Sequence, residues 1–155
     1  MEKIILTHSK DETIKLGLAI SSFLRRGDVI LLSGDLGAGK TTLTQGIAQG
    51  LGIKEKVISP TFNILKCYFN QRLNMYHIDA YRLENNKTDI GLNEFIDGDG
   101  VCVVEWPQYI QDILPKEGTL NICIKNKGEN NREFVFACSN DHFNDFFTSM
   151  NGGVL

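Results

Sequence analysis

An eight-residue stretch, Gly34-Asp-Leu-Gly-Ala-Gly-Lys-Thr41, constrains the fold of this chain more than any other feature. It matches G-x-x-x-x-G-K-T in full, and its flanks are the ones the pattern needs: an apolar run, Asp28 to Ser33, before it, and Leu43, Ile47, Ala48 and Leu51 at helical spacing after it, with Gly52 as the stop. Glycines in such a loop let successive backbone N–H groups turn inward, and the following helix adds positive potential at its N-terminus. Lys40 is then placed to reach β- and γ-phosphates, and Thr41 to ligate Mg²⁺. Strand, glycine loop and helix in that order call for a parallel α/β unit, so the expected fold is α/β, a P-loop NTPase-like domain with a mainly parallel central sheet, antiparallel hairpins and flanking helices.

The rest of the chain fits this frame. A short strand at Ile4–Leu6 precedes Ser9-x-x-Glu12, the form of a capping box, and Leu16, Ile20, Phe23 and Leu24 predict a helix that runs to Gly27. Asn63 to Phe69 and Leu73 to Asp79 read as one hairpin, Thr119 to Lys125 and Arg132 to Ala137 as a second. Between them come a short helix near Ile90–Ile96, a buried strand Val101–Val104, and a brief helix opened by Pro107 and ending near Leu114. Phe143, Phe146, Phe147 and Met150 follow Asn140 at helical spacing, which predicts a C-terminal helix capped by Asn140, its aromatic stripe a core face. With 155 residues and no linker-like segment, one domain spanning 1–155 is expected, and a chain of this size buries roughly 68–70% of its unfolded surface.

Charge and cysteine usage narrow the function classes. A net charge of −3 argues against direct binding to a nucleic-acid backbone, which draws affinity from clustered Lys and Arg. Cys67, Cys102, Cys123 and Cys138 form no C-x-x-C pair and read as free thiols of a reducing, cytoplasmic setting. The longest apolar runs fall far short of the roughly 20 residues that span a membrane, and the N-terminus lacks a signal-peptide core.

A P-loop enzyme also needs an acidic group at the end of a neighbouring strand to support Mg²⁺ and another group to orient the attacking water. Two strands end in carboxylates. Glu105 closes the more apolar Val101–Val104 run and is assigned to Mg²⁺, while Asp79 closes Met75–Ile78 and is assigned to the water. His77 has no second His or Cys at ligand spacing and reads as a packing or hydrogen-bonding histidine. Trp106, the only tryptophan, stands at the strand edge where α/β proteins collect ligands, and either base stacking or core packing suits it. Asn86-Lys-Thr-Asp89 and Asp97-Gly-Asp-Gly100 mimic two GTPase motifs, but in reversed order, and read as turns.

Four blocks, Gly34 to Thr42, Ser59-Pro-Thr-Phe62, His77-Ile-Asp-Ala-Tyr-Arg-Leu83 and Val104-Glu-Trp-Pro107, resemble in content and order the signature series of the bacterial TsaE (YjeE) ATPases. The resemblance implies a small ATP- and Mg²⁺-dependent P-loop ATPase that works with the TsaB and TsaD proteins in threonylcarbamoyl modification of adenosine 37 in tRNAs reading ANN codons, touching tRNA only indirectly. It further implies that Leu36, Gly37, Ala38, Gly39, Lys40 and Thr41 hold the phosphates with Thr42 also in the nucleotide site, that Thr41 and Glu105 hold Mg²⁺, and that Asp79 and Lys40 serve hydrolysis. Thr61 would sense the γ-phosphate from a switch-like loop, and Trp106 and Arg132 would lie beside the nucleotide. Two other classes share these features: a small-metabolite or nucleotide kinase, for which the chain's few arginines are a poor supply, and a nucleotide-sensing scaffold that hydrolyses nothing.

Overall fold

The computed structural model describes residues 2–35, 37–60, 62–84, 91–138 and 141–150. Its seven strands form one sheet: β1 (Glu2–Thr7), β2 (Val29–Ser33), β3 (Leu65–Tyr68), β4 (Met75–Asp79), β5 (Val101–Glu105), β6 (Leu120–Asn126) and β7 (Arg132–Cys138). The order is β1-β7-β6-β2-β5-β4-β3. The inner strands β6, β2, β5 and β4 are mutually parallel, and β3 and β7 run against their neighbours, so the sheet is mixed with most strands pointing one way. Both expected hairpins are present as β3–β4 and β6–β7. From β2 the chain fills β3, β4 and β5 on one side, then crosses β2 to lay down β6 and β7 on the other. The carboxyl end of β2 is therefore the place where connections diverge, the usual crevice of an open α/β sheet.

Alternation sorts the side chains into two layers. Ile30 and Leu32 of β2, Val101 and Val103 of β5 and Phe134 and Phe136 of β7 face α1 (Lys10–Ser21), α2 (Lys40–Leu51) and α4 (Asn144–Ser149) in the larger core. Val29, Ile78, Cys102 and Val104 face the other way, under Leu83, Leu92, Ile96 and Ile110, in a smaller one that includes α3 (Asn93–Ile96). All four cysteines are free, and burial pushes the Cys102 thiol up to about 12, so it packs as an inert small side chain.

α1 starts as expected, with Ser9 Oγ accepting from the Glu12 N–H at 3.1 Å. It ends at Ser21 rather than at Gly27. The reason is local: the hydroxyls of Ser21 and Ser22 donate to the carbonyls of Leu18 and Ala19 at 2.6 and 2.7 Å, and the backbone tightens into i→i+3 turns. Leu24 still reaches the core from this turn. The segment after Pro107 forms, but as a 3-10 stretch to Ile113. The aromatic stripe of α4 and the turn before it is core: Phe146 meets Phe136 and Phe23 at 5.5 Å each. α4 itself begins at Asn144 after a 3-10 turn, Asp141–Phe143; the expected cap, Asn140, lies outside the described residues, as do Ile90 and Asn86–Asp89.

α1 and α2 approach so closely that glycine is required between them. A Cβ on Gly46 would sit 2.4 Å from the Ile14 carbonyl oxygen, and one on Gly17 2.6 Å from that of Leu43. Gly46→Ala is expected to cost about 1–3 kcal/mol, the range for overpacking a tight contact. That corresponds to a fall of roughly 2–10 °C in thermal midpoint for a chain of this size, measurable by circular dichroism. An unchanged midpoint would mean that the helices part at no cost.

Candidate functional site

The loop after β2 turns sharply. Gly34 has φ 141° and lies so close to β6 that a Cβ there would meet the Ile124 carbonyl oxygen at 2.5 Å, while Gly39, at φ 114°, precedes α2 in a left-handed conformation. Lys40 is the first residue of α2, and its side chain folds back over the loop: Nζ donates to the carbonyl oxygens of Gly34 at 2.5 Å and Asp35 at 2.9 Å. The ammonium also lies 4.5 Å from the centre of the Trp106 ring. Burial pushes the Lys40 ammonium below its usual range, against the opposing pull of Glu105, Asp79 and Asp35.

Those carboxylates arrive by strand register. Asp79 and Glu105 are the last residues of β4 and β5 and stand opposite one another across the parallel pair, Glu105 being opposite Leu32 of β2 as well. Odd-numbered residues of β4 and β5 face the α1/α2 layer, so both acids emerge on the side where α2 begins. They are nearly buried, at 4% and 3% exposure. Asp79 accepts from Ser59 Oγ at 3.0 Å and from the Tyr81 N–H at 3.0 Å. Glu105 is paired from below with His77, Nε2 to Oε2 at 2.5 Å.

Together Gly37, Gly39, Lys40, Thr41, Thr42, Ser59, Asp79, Tyr81, Glu105 and Trp106 line a cleft of about 320 Å³. A second cavity, about 230 Å³, shares Gly37, Gly39 and Thr42 with it and continues past the loop to Ser9, Lys10, Thr13, Asn130 and Arg132. Arg132 is held by its own turn, Nη1 donating to the carbonyls of Glu129 and Asn131 at 2.9 Å each. Ala38 is buried within the loop.

The sequence-derived candidates thus line these two adjoining cavities, apart from Ala38, which packs into the core beneath the loop, and Leu36 and Thr61, which lie outside the described residues. Sequence reading had missed Tyr81, which follows the strand ending in Asp79 and supplies an N–H to it, and Tyr109, stacked on Trp106 at 6.1 Å with 9° between planes. It also missed the lining from α1. His77 is the buried, hydrogen-bonding histidine expected: two residues before Asp79 on an alternating strand, it shares Asp79's face and meets Glu105. Strain surrounds the groove as well. Among the described residues the non-glycine positive φ values fall at Ile64, Trp106 and Glu129. Ile64 lies on the segment after Ser59 and accepts from the Asp79 N–H at 2.8 Å, Trp106 lines the cleft, and Glu129 holds Arg132. Such conformations cost about 1–3 kcal/mol each and concentrate where a ligand is held.

Chemically, the groove offers an anion the N-terminus of α2 and one ammonium, and offers a cation a hydroxyl from Thr41 and carboxylates from Glu105 and Asp79. A sheet whose central parallel strand runs through G-x-x-x-x-G-K-T into a helix, with acids on the ends of adjacent strands, is the architecture of P-loop α/β proteins. Comparison with known proteins sharpens that class. Residues 7–134 match the family model described as threonylcarbamoyl adenosine biosynthesis protein TsaE, and the chain belongs to that family. It is 45% identical to tRNA threonylcarbamoyladenosine biosynthesis protein TsaE of Bacillus subtilis over 88% of this chain and 86% of the relative, and 40% identical to that of Treponema pallidum over 85% and 98%. The crystal structure of YdiB from Bacillus subtilis superposes with a TM-score of 0.82 at 37% identity, covering 97% of this chain and 94% of the other.

Proposed function

We propose that this chain binds and hydrolyses ATP as an accessory of the machinery that forms threonylcarbamoyladenosine at position 37 of ANN-reading tRNAs, acting as a nucleotide-dependent switch on a TsaB–TsaD complex in the cytoplasm. The relatives' names carry the pathway. The observation that carries the chemistry is the convergence of Lys40, Asp79 and Glu105 in one cleft at the head of α2. The phosphates lie along Gly37 to Thr42 with Lys40 on the β- and γ-groups, and the base and ribose extend past the loop toward Arg132 and the start of α1. Water attacks the γ-phosphorus in line, the bond to the ADP oxygen breaks, and ADP and phosphate leave. Asp79, its carboxylate fixed by Ser59 and Tyr81, orients that water.

The donor set suits Mg²⁺. No group of three or more His, Cys, Asp or Glu that could hold a metal stands among the described residues, and Mg²⁺ bound to a nucleotide asks for little more than one or two protein oxygens beside the phosphates. Thr41 and Glu105 supply them. When bound, the ion neutralises charge developing on the phosphate oxygens.

The switch lies on the other wall. Ser59 hydrogen-bonds Asp79 from the segment that carries Thr61, and next in that segment Phe62 is 81% exposed, its ring 4.9 Å from the Arg82 guanidinium. A γ-phosphate contacting this segment orders it, and hydrolysis releases it, the logic of nucleotide switches. No helix among the described residues is long and apolar enough to cross a membrane, and the net negative charge leaves tRNA to be held by the partners. ATP turnover by the chain alone and with TsaB and TsaD tests the reading: a change of at least about tenfold on adding both is the expected coupling, on the scale of one to a few kcal/mol for allosteric linkage. Equal rates, together with undiminished tRNA threonylcarbamoyladenosine after depletion of the chain from cells, would overturn it.

A further inference from the structure

His77 is a buried ionisable group of β4 that the hydrolytic scheme above leaves unused. It is 0% exposed, and its Nε2 lies 2.5 Å from Glu105 Oε2, a carboxylate that lines the cleft while the imidazole itself lies wholly beneath it. Its other ring nitrogen, Nδ1, has no partner among the described residues. A carboxylate oxygen accepts, so the ring nitrogen that faces it is the donor. Nε2 therefore carries a proton and donates it to Oε2. His77 is also the one hydrogen-bond partner of the Glu105 side chain among the described residues, so one carboxylate oxygen is committed and the other is left for the cleft.

We propose that His77 is the positioning residue of the metal site: by holding Oε2 it fixes the Glu105 carboxylate so that its free oxygen alone is offered to the nucleotide-bound divalent cation. The inference rests on the assignment of Glu105 to Mg²⁺ in the proposed function. Its physical basis is general, since groups that hydrogen-bond a ligating carboxylate preset its rotamer, and removing them typically lowers metal affinity about 10–100-fold. A carboxylate freed from the histidine loses its fixed orientation, and Lys40, already drawn electrostatically to Glu105, becomes its competing partner. Nucleotide phosphates contact the loop and Lys40 rather than His77, so affinity for nucleotide without metal is left unchanged.

The test is Mn²⁺ titration of the folded chain with ADP present, followed by electron paramagnetic resonance, in the wild type, His77→Leu and His77→Gln. The Gln amide nitrogen falls near the place of Nε2 and keeps a donor, whereas Leu keeps the bulk and loses it. At least about a tenfold weaker Mn²⁺ affinity in His77→Leu, with ADP affinity in EDTA within about twofold of wild type and most of the loss restored in His77→Gln, is the expected result. Unchanged Mn²⁺ affinity in His77→Leu, or equal loss in both variants, would overturn the positioning role while leaving the ATPase reading standing. A wild-type chain that binds ADP but no Mn²⁺ would overturn both. Should either variant fail to fold, nitrogen-15 spectra of the wild-type imidazole decide: a proton on Nε2 supports the proposal, and one on Nδ1 alone removes its basis.

Discussion

Lys40→Ala is expected to lower ATP affinity by at least about a hundredfold, on the scale of the 2–5 kcal/mol that follows truncation of one member of a buried charged pair, while leaving the fold intact. In the free chain the ammonium is largely desolvated and satisfied by two loop carbonyls, those of Gly34 and Asp35. Removing it relieves the cost of burying a cation and leaves two carbonyls on a loop that borders the open cleft, so the thermal midpoint should stay within a few degrees of wild type. A fluorescent-nucleotide titration beside a thermal melt checks both halves, and an unchanged ATP affinity in the folded variant would remove the phosphate site. Burial also gives a sign for pH. The folded state holds the Lys40 proton less tightly than the unfolded chain, whose lysine keeps the ordinary value of 10.5. Between the two values the unfolded state binds more protons, so this group adds stability as pH rises toward about 10. Lys40→Met lacks that rise, which the difference in melting between the two chains at neutral and alkaline pH reads out.

Asp79→Asn is expected to slow single-turnover hydrolysis by about a hundredfold or more, in the range for loss of a positioned proton-accepting or water-orienting group, with ATP affinity held within about threefold. The substitution is close to neutral for the fold. One amide oxygen still accepts from the Tyr81 N–H, and the Ser59 hydroxyl, now a donor at 3.0 Å from Oδ2, can rotate to accept from the amide nitrogen instead. On the proposed mechanism, what is lost is the negative charge that orients the reacting water. Rapid-quench measurement of one turnover separates this from product release. Unchanged chemistry would move the role elsewhere, Glu105 being the nearest alternative, and the absence of any turnover in the wild type would favour a sensor that signals by occupancy.

Much of the site was legible because local rules write it. The loop declared itself through spacing and flanks, and Asp79 and Glu105 through their place at the ends of apolar runs. The unread part depends on contacts between distant segments. Ser9, Lys10 and Thr13 look like ordinary helix-start residues, yet together with Asn130 and Arg132 they wall the cavity beyond the loop because β1 and β7 are neighbours in the sheet. Tyr81 and Tyr109 carry no motif of their own, and their value comes from packing about Trp106, at 5.0 and 6.1 Å. α1 fell short of Gly27 because two serine hydroxyls competed for its last carbonyls, an effect that apolar periodicity does not register.

By itself the amino-acid sequence determined the elements and their faces: period-two alternation decided which side of β4 carries His77 and Asp79, and glycine at 34 and 39 decided where a backbone loop turns back on itself. Only the tertiary structure decided which elements are neighbours. The order β6-β2-β5-β4 brings Glu105 beside Asp79 and both to Lys40, and lays His77 under Glu105 across 28 residues of chain. Strand order is settled by burying two apolar layers at once, a property of the whole sheet that no segment carries alone.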